Sequence, residues 1–392
     1  MKKIFLSLAV VCLVLTGCST DDDNGVVVGG PEDPIGGTDD DGGGNGDDGN
    51  DGEETGDPLL YNPSGNLQDL ASFPVGNIVS ASRLASSTDQ NFRDLLNKDY
   101  NSITAENDMK MANMFVGPDS FDFSDGDAIV AYAKANGMRV HGHALVWHPD
   151  YAIPDWLENF EGTDEEFEAQ IENYIKSTVA HFAEEKDENG NSIVTGWDVV
   201  NEYFDGGNIR SSLFTQRMGQ NYIDRIFQWA READPDVLLF YNDYNIAGEP
   251  NKRNAILSMV SRFKNNGIPI DGVGMQMHLN IEWPSLDEIT QAITDVTDSD
   301  LLVHISELDI GVNPDDDITS LSVSRAQEQE DFYQYVTSEY NSIVPAGQQY
   351  GITVWGARDQ DSWRYDGGTE WPLLYNANYE FKIAHRGFAE GL

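Results

Sequence analysis

The chain has 392 residues, a formal net charge of −45 and only 2 cysteines. This acidity argues against nucleic acids and other polyanions as ligands, because proteins bind those through basic patches. A neutral ligand fits the charge better, although charge alone does not identify it.

The first 17 residues are predicted to be a secretory signal. They combine two lysines with an apolar run that is shorter than the roughly 20 residues of a membrane span. The ending L-T-G before Cys18 resembles a bacterial lipobox, in which the cysteine is acylated. The alternative is an ordinary signal followed by a chance cysteine. The only other cysteine, Cys12, lies in the segment that is removed, so no internal disulfide is expected.

Residues 18–58 are predicted to form a disordered acidic tether. They are mostly Gly, Asp, Asn and Glu, a composition that cannot bury enough apolar surface to fold. A calcium loop is the alternative, but no reading frame supplies a full EF-hand pattern. The tether and the lipid together predict an outer-membrane lipoprotein exposed on the cell surface, with a periplasm-facing orientation as the alternative. The membrane is then contacted only through the N-terminal lipid.

Residues 59–392 are predicted to form a single (β/α)8 TIM barrel of the α/β class, because short apolar runs alternate with amphipathic stretches. An open doubly wound sheet is the competing architecture, but no glycine-rich phosphate loop follows the first strand. A monomer is expected. The predicted strands are Val75–Ser80, Tyr100–Thr104, Arg139–Val146, Val194–Val200, Val237–Tyr241, Gly272–Gln276, Leu301–Ser306 and Gly351–Val354. Helical stretches are predicted to start at Asp164, Met218 and Ser324.

Polar and aromatic residues follow seven consecutive predicted strands. A satisfied core group is the better explanation for a single histidine or asparagine, but not for the whole series. Since a TIM-barrel active site is built at the C-terminal ends of its strands, these side chains are predicted to share one cleft. They include Glu106, Asn107, Lys110, His143, Trp147, Asn201, Glu202, Tyr244, Gln276, His278, Glu307 and Trp355.

Two carboxylates in one cleft are what glycosidic bond cleavage requires: one donates a proton and the other attacks or stabilises the anomeric carbon. Tryptophans such as Trp147, Trp355 and Trp363 offer flat apolar faces to sugar rings. His143 and His148 are five apart and lack the H-E-x-x-H pattern. No metal and no cofactor is therefore predicted.

The motifs TAENDMK, GHALVWH, WDVVNE, NDYN, QMH, SELD and VWGARDQDSWR, in this order, resemble those of glycoside hydrolase family 10 endo-β-1,4-xylanases. The resemblance implies endo-acting, retaining hydrolysis of β-1,4-xylosidic bonds, with xylan or xylo-oligosaccharides as substrate. It makes Glu202 the general acid/base and Glu307 the nucleophile. In a retaining enzyme the two carboxyl groups are expected to lie about 5–5.5 Å apart.

The same resemblance assigns roles to the surrounding residues. Asn201 would contact the sugar 2-hydroxyl beside the bond that breaks, His278 would hold Glu307 in position, and Tyr244 would face the leaving-group side. The residues implied to line the glycone subsites are Glu106, Asn107, Lys110, His143, Trp147, Gln276, Trp355 and Trp363.

Five positions depart from the family's usual residues, and none of them removes a catalytic group. They are Ala105, Met111, His141, Asp150 and Tyr203. The usual residues at these positions are, in the same order, proline, tryptophan, arginine, glutamine and alanine. Asp150 and Tyr203 leave the tolerance of branched substrates open. Two other functions stay open as well: another retaining barrel glycosidase, such as a β-glucanase or mannanase, and a non-catalytic glycan-binding surface lipoprotein.

Overall fold

The computed structural model describes residues 56–365 and 367–392, so the predicted signal, Cys18 and most of the predicted tether lie outside the described residues. Eight parallel strands form a closed barrel, in which each strand pairs with the next and β8 pairs with β1. The strands are β1 (Val75–Val79), β2 (Ser102–Ala105), β3 (Arg139–Gly142), β4 (Val194–Asn201), β5 (Leu238–Asp243), β6 (Gly272–Met275), β7 (Leu302–Gly311) and β8 (Gln349–Val354).

A helix follows each strand on the outside of the barrel, which confirms the predicted (β/α)8 architecture and excludes the open sheet. The eight helices are α1 (Gln90–Asp99), α2 (Ser124–Ala135), α3 (Asp164–Ala183), α4 (Tyr222–Ala233), α5 (Pro250–Asn266), α6 (Leu286–Thr297), α7 (Val323–Ile343) and α8 (Ile383–Glu390). Shorter helices are Leu67–Leu70, Ala81–Ala85, Met111–Met114, Asp155–Glu158 and Leu213–Met218, with single 3-10 turns at Asp150–Ala152 and Asp359–Asp361. Short strands outside the barrel are Phe115–Gly117, Ser120–Phe121, Val146–Trp147, Phe204–Asp205, Asn208–Ile209 and His278–Asn280.

Local sequence explains where these elements begin. Helix α3 starts after Thr163, whose hydroxyl accepts from the backbone N–H of Glu166 while the Glu166 carboxylate accepts from the Thr163 N–H. This capping box satisfies two N–H groups that the first turn leaves unpaired. Strand β1 is buried at all five residues, as expected where helices cover one face and the barrel interior the other.

Aromatic and imidazole rings fill the middle of the barrel. The ring centroids of Phe240 and Tyr350 lie 4.4 Å apart, and those of His141 and His304 lie 4.8 Å apart. A Cβ atom at Gly272 would come within 2.0 Å of the Phe240 ring. Glycine at that position of β6 therefore leaves the space that the phenylalanine occupies.

Two predicted elements are interrupted in the structure. Strand β3 ends at Gly142 instead of running to Val146, and the chain pairs with β4 again only at Val146–Trp147. The helix predicted from Met218 is divided: one short helix ends there, Gly219 has a φ of +80°, and α4 begins at Tyr222. Glycine adopts such a left-handed backbone readily, so it ends the first helix.

Candidate active site

A cavity of about 530 Å³ opens at the C-terminal ends of the barrel strands. All of the sequence-predicted site residues that the structure describes line it: Glu106, Asn107, Lys110, His143, Trp147, Asn201, Glu202, Tyr244, Gln276, His278, Glu307, Trp355 and Trp363. Five further lining residues were not predicted, namely Tyr151, Asn245, Asn280, Trp283 and Arg364. The cavity is therefore the predicted cleft.

The backbone of β4 explains how two neighbouring residues face the same cavity. Successive side chains of a regular strand point to opposite faces of the sheet. Here Asn201 is the last residue of β4, and Glu202 has a φ of +57°, a conformation that non-glycine residues rarely adopt. The N–H of Glu202 still donates to the carbonyl of Asn242 at 2.9 Å. The left-handed turn thus breaks the alternation and places an amide and a carboxylate side by side.

Three amide side chains connect the two glutamates. Asn242 donates to Glu307 Oε1 at 2.7 Å and to Asn201 Oδ1 at 3.1 Å. Gln276 donates to Asn201 Oδ1 at 3.2 Å and to Glu202 Oε1 at 3.1 Å. A continuous path of hydrogen bonds therefore runs from one carboxylate to the other.

This network sets the orientation of the Asn201 amide. Asn242 and Gln276 each donate to a carboxylate, so both present an NH2 group, and the atom of Asn201 between them has to be an oxygen. Rotating the Asn201 amide by half a turn would let its oxygen accept from Trp147 Nε1 at 3.3 Å. The rotation would also point its NH2 group at the NH2 groups of Asn242 and Gln276, so the amide oxygen of Asn201 lies between those two donors.

Glu307 is held from its other side by an imidazole. His278 Nε2 lies 3.2 Å from Glu307 Oε2, and His278 Nδ1 lies 2.9 Å from Asp309 Oδ2. Burial lowers the pKa of His278, but the charge of Asp309 and its hydrogen bonds to Asp309 and Glu307 outweigh burial and raise the pKa to about 9. The predicted contact between His278 and Glu307 is present, with a positive charge on the imidazole at neutral pH.

Asp309 also anchors the wall of the cavity beyond His278. Its Oδ2 accepts from Trp363 Nε1 at 2.9 Å, and its Oδ1 lies 2.8 Å from Arg364 Nε. Trp363 is fixed at this edge, and the Arg364 guanidinium carbon lies 4.9 Å from its ring centre. The residue nevertheless remains 63% exposed, so much of the ring is open to a ligand. Asp309 was not predicted, because nothing in the SELD motif separates it from a core carboxylate.

The wall opposite carries a buried ammonium group. Lys110 Nζ donates to Asn107 Oδ1 at 2.9 Å and lies 4.7 Å from the centre of the Trp147 ring. Burial lowers the pKa of Lys110, and the charges of Glu307, Glu106 and Glu202 oppose that effect. Burial also raises the pKa of Glu106, against the charge of Lys110.

His143 is oriented from below by a fully buried carboxylate. His143 Nδ1 and Asp198 Oδ2 lie 2.8 Å apart, and His141 Nε2 lies 3.0 Å from the other oxygen of Asp198. Burial lowers the pKa of His141, but Asp198 and Tyr350 outweigh it and raise the pKa to about 9. His141 thus supplies a cation to the barrel interior at the position where the family usually has arginine.

Arg210 supports Glu202 from behind, and sequence reasoning did not find it. Its guanidinium donates through Nε to the carbonyl of Glu202 at 3.1 Å and through a terminal nitrogen to the Tyr244 hydroxyl at 2.8 Å. Lys252 Nζ lies 3.2 Å from the centre of the Tyr244 ring. No short motif marks Arg210, because the hairpin of Phe204–Asp205 and Asn208–Ile209 returns it to the strand end.

The departures from the family differ in their location. Tyr203 points away from the cavity: it is 4% exposed, its hydroxyl donates to the Gln220 carbonyl at 2.6 Å, and its ring packs on Tyr222. Met111 is buried in the core. Only Asp150 stands on a surface that a ligand can reach. Among the described residues, no group of three or more His, Cys, Asp or Glu side chains is arranged to hold a metal ion.

Comparison with known proteins identifies the family. The model of glycosyl hydrolase family 10 matches residues 66–390. The endo-β-1,4-xylanase Xyn10C of Cellvibrio japonicus is 40% identical over 354 residues, which cover 83% of this chain and 57% of that protein. The endo-1,4-β-xylanase A of the same species is 38% identical over 362 residues, which cover 84% of this chain and 57% of that protein.

A solved structure of xylanase 10C from C. japonicus, a mutant in complex with xylopentaose, superposes with a TM-score of 0.78 at 39% identity. The match covers 83% of this chain and 69% of that one. The chain spans somewhat more than half the length of the two curated relatives named above.

Proposed function

This chain belongs to glycosyl hydrolase family 10, and from that premise we propose that it is an endo-β-1,4-xylanase that hydrolyses xylan with retention of anomeric configuration. The observation that carries the proposal is the hydrogen-bonded path that joins Glu202 and Glu307 across one cavity. Tryptophan faces and amide side chains surround the two carboxylates, as recognition of a neutral sugar chain requires.

In the first step, Glu307 attacks the anomeric carbon and forms a glycosyl ester, while Glu202 transfers its proton to the leaving oxygen. In the second step, Glu202 removes a proton from water, the water attacks the anomeric carbon, and the ester bond to Glu307 breaks. The hydrogen bonds from Asn242 and His278 fix the attacking carboxylate before substrate arrives, so its reorganisation costs little at the moment of reaction. The carboxyl separation of about 5–5.5 Å stays a prediction.

Digestion of linear xylan, β-glucan and mannan, followed by sizing of the products, tests the substrate and the mode of cleavage. We expect mixed oligosaccharides from xylan at early times, because an endo enzyme cuts within the chain. Release of only single sugars would overturn endo action, and preference for glucan or mannan would assign another barrel glycosidase. Binding of xylan without cleavage would favour a glycan-binding protein.

Substitution of the acid/base separates its role from that of the nucleophile. Glu202→Gln is expected to lose activity on xylan but to keep the glycosylation step on aryl xylosides whose leaving groups need no proton. Glu307→Gln is expected to lose activity on xylan and the glycosylation step on aryl xylosides alike. Equal loss of glycosylation on both substrates in Glu202→Gln would contradict the acid role.

We also propose that the mature protein is a monomer held on the outer membrane by acylated Cys18 and faces the outside of the cell. The support is the sequence pattern before and after Cys18. In residues 56–365 and 367–392 no helix is long and apolar enough to cross a bilayer. Protease treatment of intact cells should release the enzyme, whereas Cys18→Ala should prevent acylation. Protection from protease until the outer membrane is opened would show a periplasm-facing anchor.

A further inference from the structure

A second cavity, of about 620 Å³, adjoins the active-site cavity. Tyr151 lines both of them and forms part of the wall that they share. Its side chain is 70% exposed and meets the Trp147 ring edge-on, with the ring centroids 5.3 Å apart. An exposed phenol ring held at one edge presents a face on which a sugar ring can pack.

The second cavity lies beside the proposed acid/base. His148 belongs to its wall, and His148 Nδ1 lies 4.0 Å from Glu202 Oε2. A group that projects sideways from a chain bound near Glu202 would therefore enter this cavity. The floor offers uncharged polar side chains, including Ser211 and Gln216, which suit the hydroxyls of a sugar.

The ionised groups of this cavity are all acidic. Asp150 and Glu158 line it, and no lysine or arginine is among its described lining residues. Within the described residues, neither carboxylate forms an ion pair with a side chain. Burial, together with the charges of Arg210 and Lys252, lowers the pKa of His148 to about 4, so its imidazole is neutral at neutral pH. The lining residues themselves therefore carry two negative charges and no positive one, although the charges of Arg210 and Lys252 reach His148.

We propose that this cavity receives a neutral side-branch sugar of the polysaccharide, and that Asp150 and Glu158 exclude branches that carry a carboxylate, such as uronic acids. The inference rests on the proposed xylanase function and specifies its substrate class. Asp150 is a specificity-determining residue on this account, since the family's usual glutamine would leave only one carboxylate in the wall.

The test compares kcat/KM for three oligosaccharides with the same β-1,4-xylose backbone: one linear, one with a neutral arabinosyl branch and one with a glucuronosyl branch. For the wild type at low salt, we expect the neutral branch to be cleaved within about threefold of the linear substrate and the uronic branch at least about tenfold more slowly, because like charges repel across a partly desolvated site. Added salt should narrow the gap.

Removing the two charges should relieve the discrimination. In the double variant Asp150→Asn with Glu158→Gln, we expect the ratio of kcat/KM for the uronic substrate to kcat/KM for the linear substrate to rise about fivefold to tenfold. The matched control is Glu328→Gln with Asp331→Asn, two exposed acids on α7 outside both cavities. The control should leave the ratio of kcat/KM for the uronic substrate to that for the linear substrate as in the wild type. Tyr151→Ala should lower the ratio of neutral-branched to linear activity.

The outcomes separate the two proposals. Equal cleavage of the neutral and the uronic substrate by the wild type, or an unchanged ratio in the double variant, would overturn the role of the cavity. Failure to cleave the linear substrate would instead contradict the xylanase function. In that event, calorimetric titration of the three oligosaccharides into the Glu307→Gln protein still tests the ranking by affinity.

Discussion

Asn242 donates to Glu307 Oε1 at 2.7 Å from a position where its side chain is completely buried. Its side-chain oxygen Oδ1 accepts from the Ser306 hydroxyl at 2.6 Å, so the side-chain amide cannot turn without losing a partner. Asn242 therefore fixes one oxygen of the proposed nucleophile while His278 approaches the other. Because Asn242 contacts the nucleophile but does not line the cavity, it acts by positioning that carboxylate.

We predict that Asn242→Ala lowers kcat on xylan by about tenfold to a hundredfold, the range expected for one lost hydrogen bond to a charged group. KM should change little, because Asn242 does not line the cavity. Steady-state kinetics on linear xylo-oligosaccharides measures both parameters. The control Asn254→Ala removes an exposed amide on α5 and should leave both unchanged. A rise in KM at constant kcat would contradict the positioning role.

A second prediction concerns Arg210, which holds the Glu202 carbonyl and the Tyr244 hydroxyl. Arg210→Met should reduce kcat by about tenfold or more on xylan and less on activated aryl xylosides, since it disturbs the group that protonates the leaving oxygen. Arg210→Lys should rescue little, because an ammonium group cannot reproduce the fork of the guanidinium.

The matched control for Arg210 is Arg386→Met on α8, which removes an ion pair with Glu330. This variant should leave the ratio of xylan to aryl xyloside activity as in the wild type. If Arg210→Met reduced both activities by the same factor, its effect would not act through the acid/base.

A third prediction concerns the buried pair of Lys252 and Asp243, whose charged atoms lie 2.7 Å apart with both side chains fully buried. Lys252→Met should lower the free energy of unfolding by about 3–5 kcal/mol, because it leaves a buried carboxylate without its partner. Adding Asp243→Asn to Lys252→Met should restore part of that loss. Urea denaturation followed by tryptophan fluorescence measures both changes.

The control for the buried pair is Lys264→Met, since Lys264 and Asp300 form an exposed pair at 3.7 Å. Its cost should stay below about 1 kcal/mol. If Lys252→Met lowered the free energy of unfolding by an equally small amount, Asp243 would already be protonated in the folded chain. Burial raises the pKa of Asp243 to about 7, so the measurement distinguishes the two protonation states.

A fourth prediction concerns pH. The pKa values of His141 and His278 rise from 6.5 to about 9 in the folded chain. Below about pH 6.5 both the folded and the unfolded state hold these protons, so the stabilisation is complete. Between pH 6.5 and 9 the unfolded state has lost them while the folded state keeps them, so the free energy of unfolding falls as pH rises. Above that range the contribution is lost.

Melting temperatures between pH 6 and 10 measure this slope. His141→Gln should lower the melting temperature at neutral pH and flatten the decline, because one of the two titrating imidazoles is gone. His181→Gln changes a partly exposed histidine on α3 and serves as the control. A slope in His141→Gln as steep as that of the wild type would contradict the assignment.

The sequence predicted the barrel and 13 of the 18 residues that line the cavity, because strand ends and family motifs carry that information. It placed the end of β7 at Ser306, whereas the strand continues through Glu307 to Gly311. A polar residue normally ends an apolar run, but inside this barrel Glu307 and Asp309 are paired with Asn242 and His278. Buried polar groups are tolerated within a strand when they are hydrogen-bonded, and the sequence does not show which residues of other strands are their partners.

The same limit hid the supporting residues. Asp198 reads as one polar position within WDVVNE, although it joins two histidines below the cleft. Arg210 directly follows a short hairpin of two-residue strands, which brings it back beside the end of β4. Tyr203 left the details of substrate binding open because the resemblance implies an alanine there. The left-handed backbone at Glu202 instead directs the Tyr203 side chain into packing against α4.

The hydrogen-bonded path between the glutamates is built mainly from the barrel strands and their ends, whereas Asp150, Tyr151 and Glu158 stand on the connection after β3. Reaction chemistry and side-branch choice are consequently carried by separable parts of the chain. Exchanging residues 148–158 for the connection of another family member should transplant substrate preference onto an unchanged reaction centre. The connection after β4 supplies Ser211 and Gln216 to the same cavity, so the exchange would change one of its two sides.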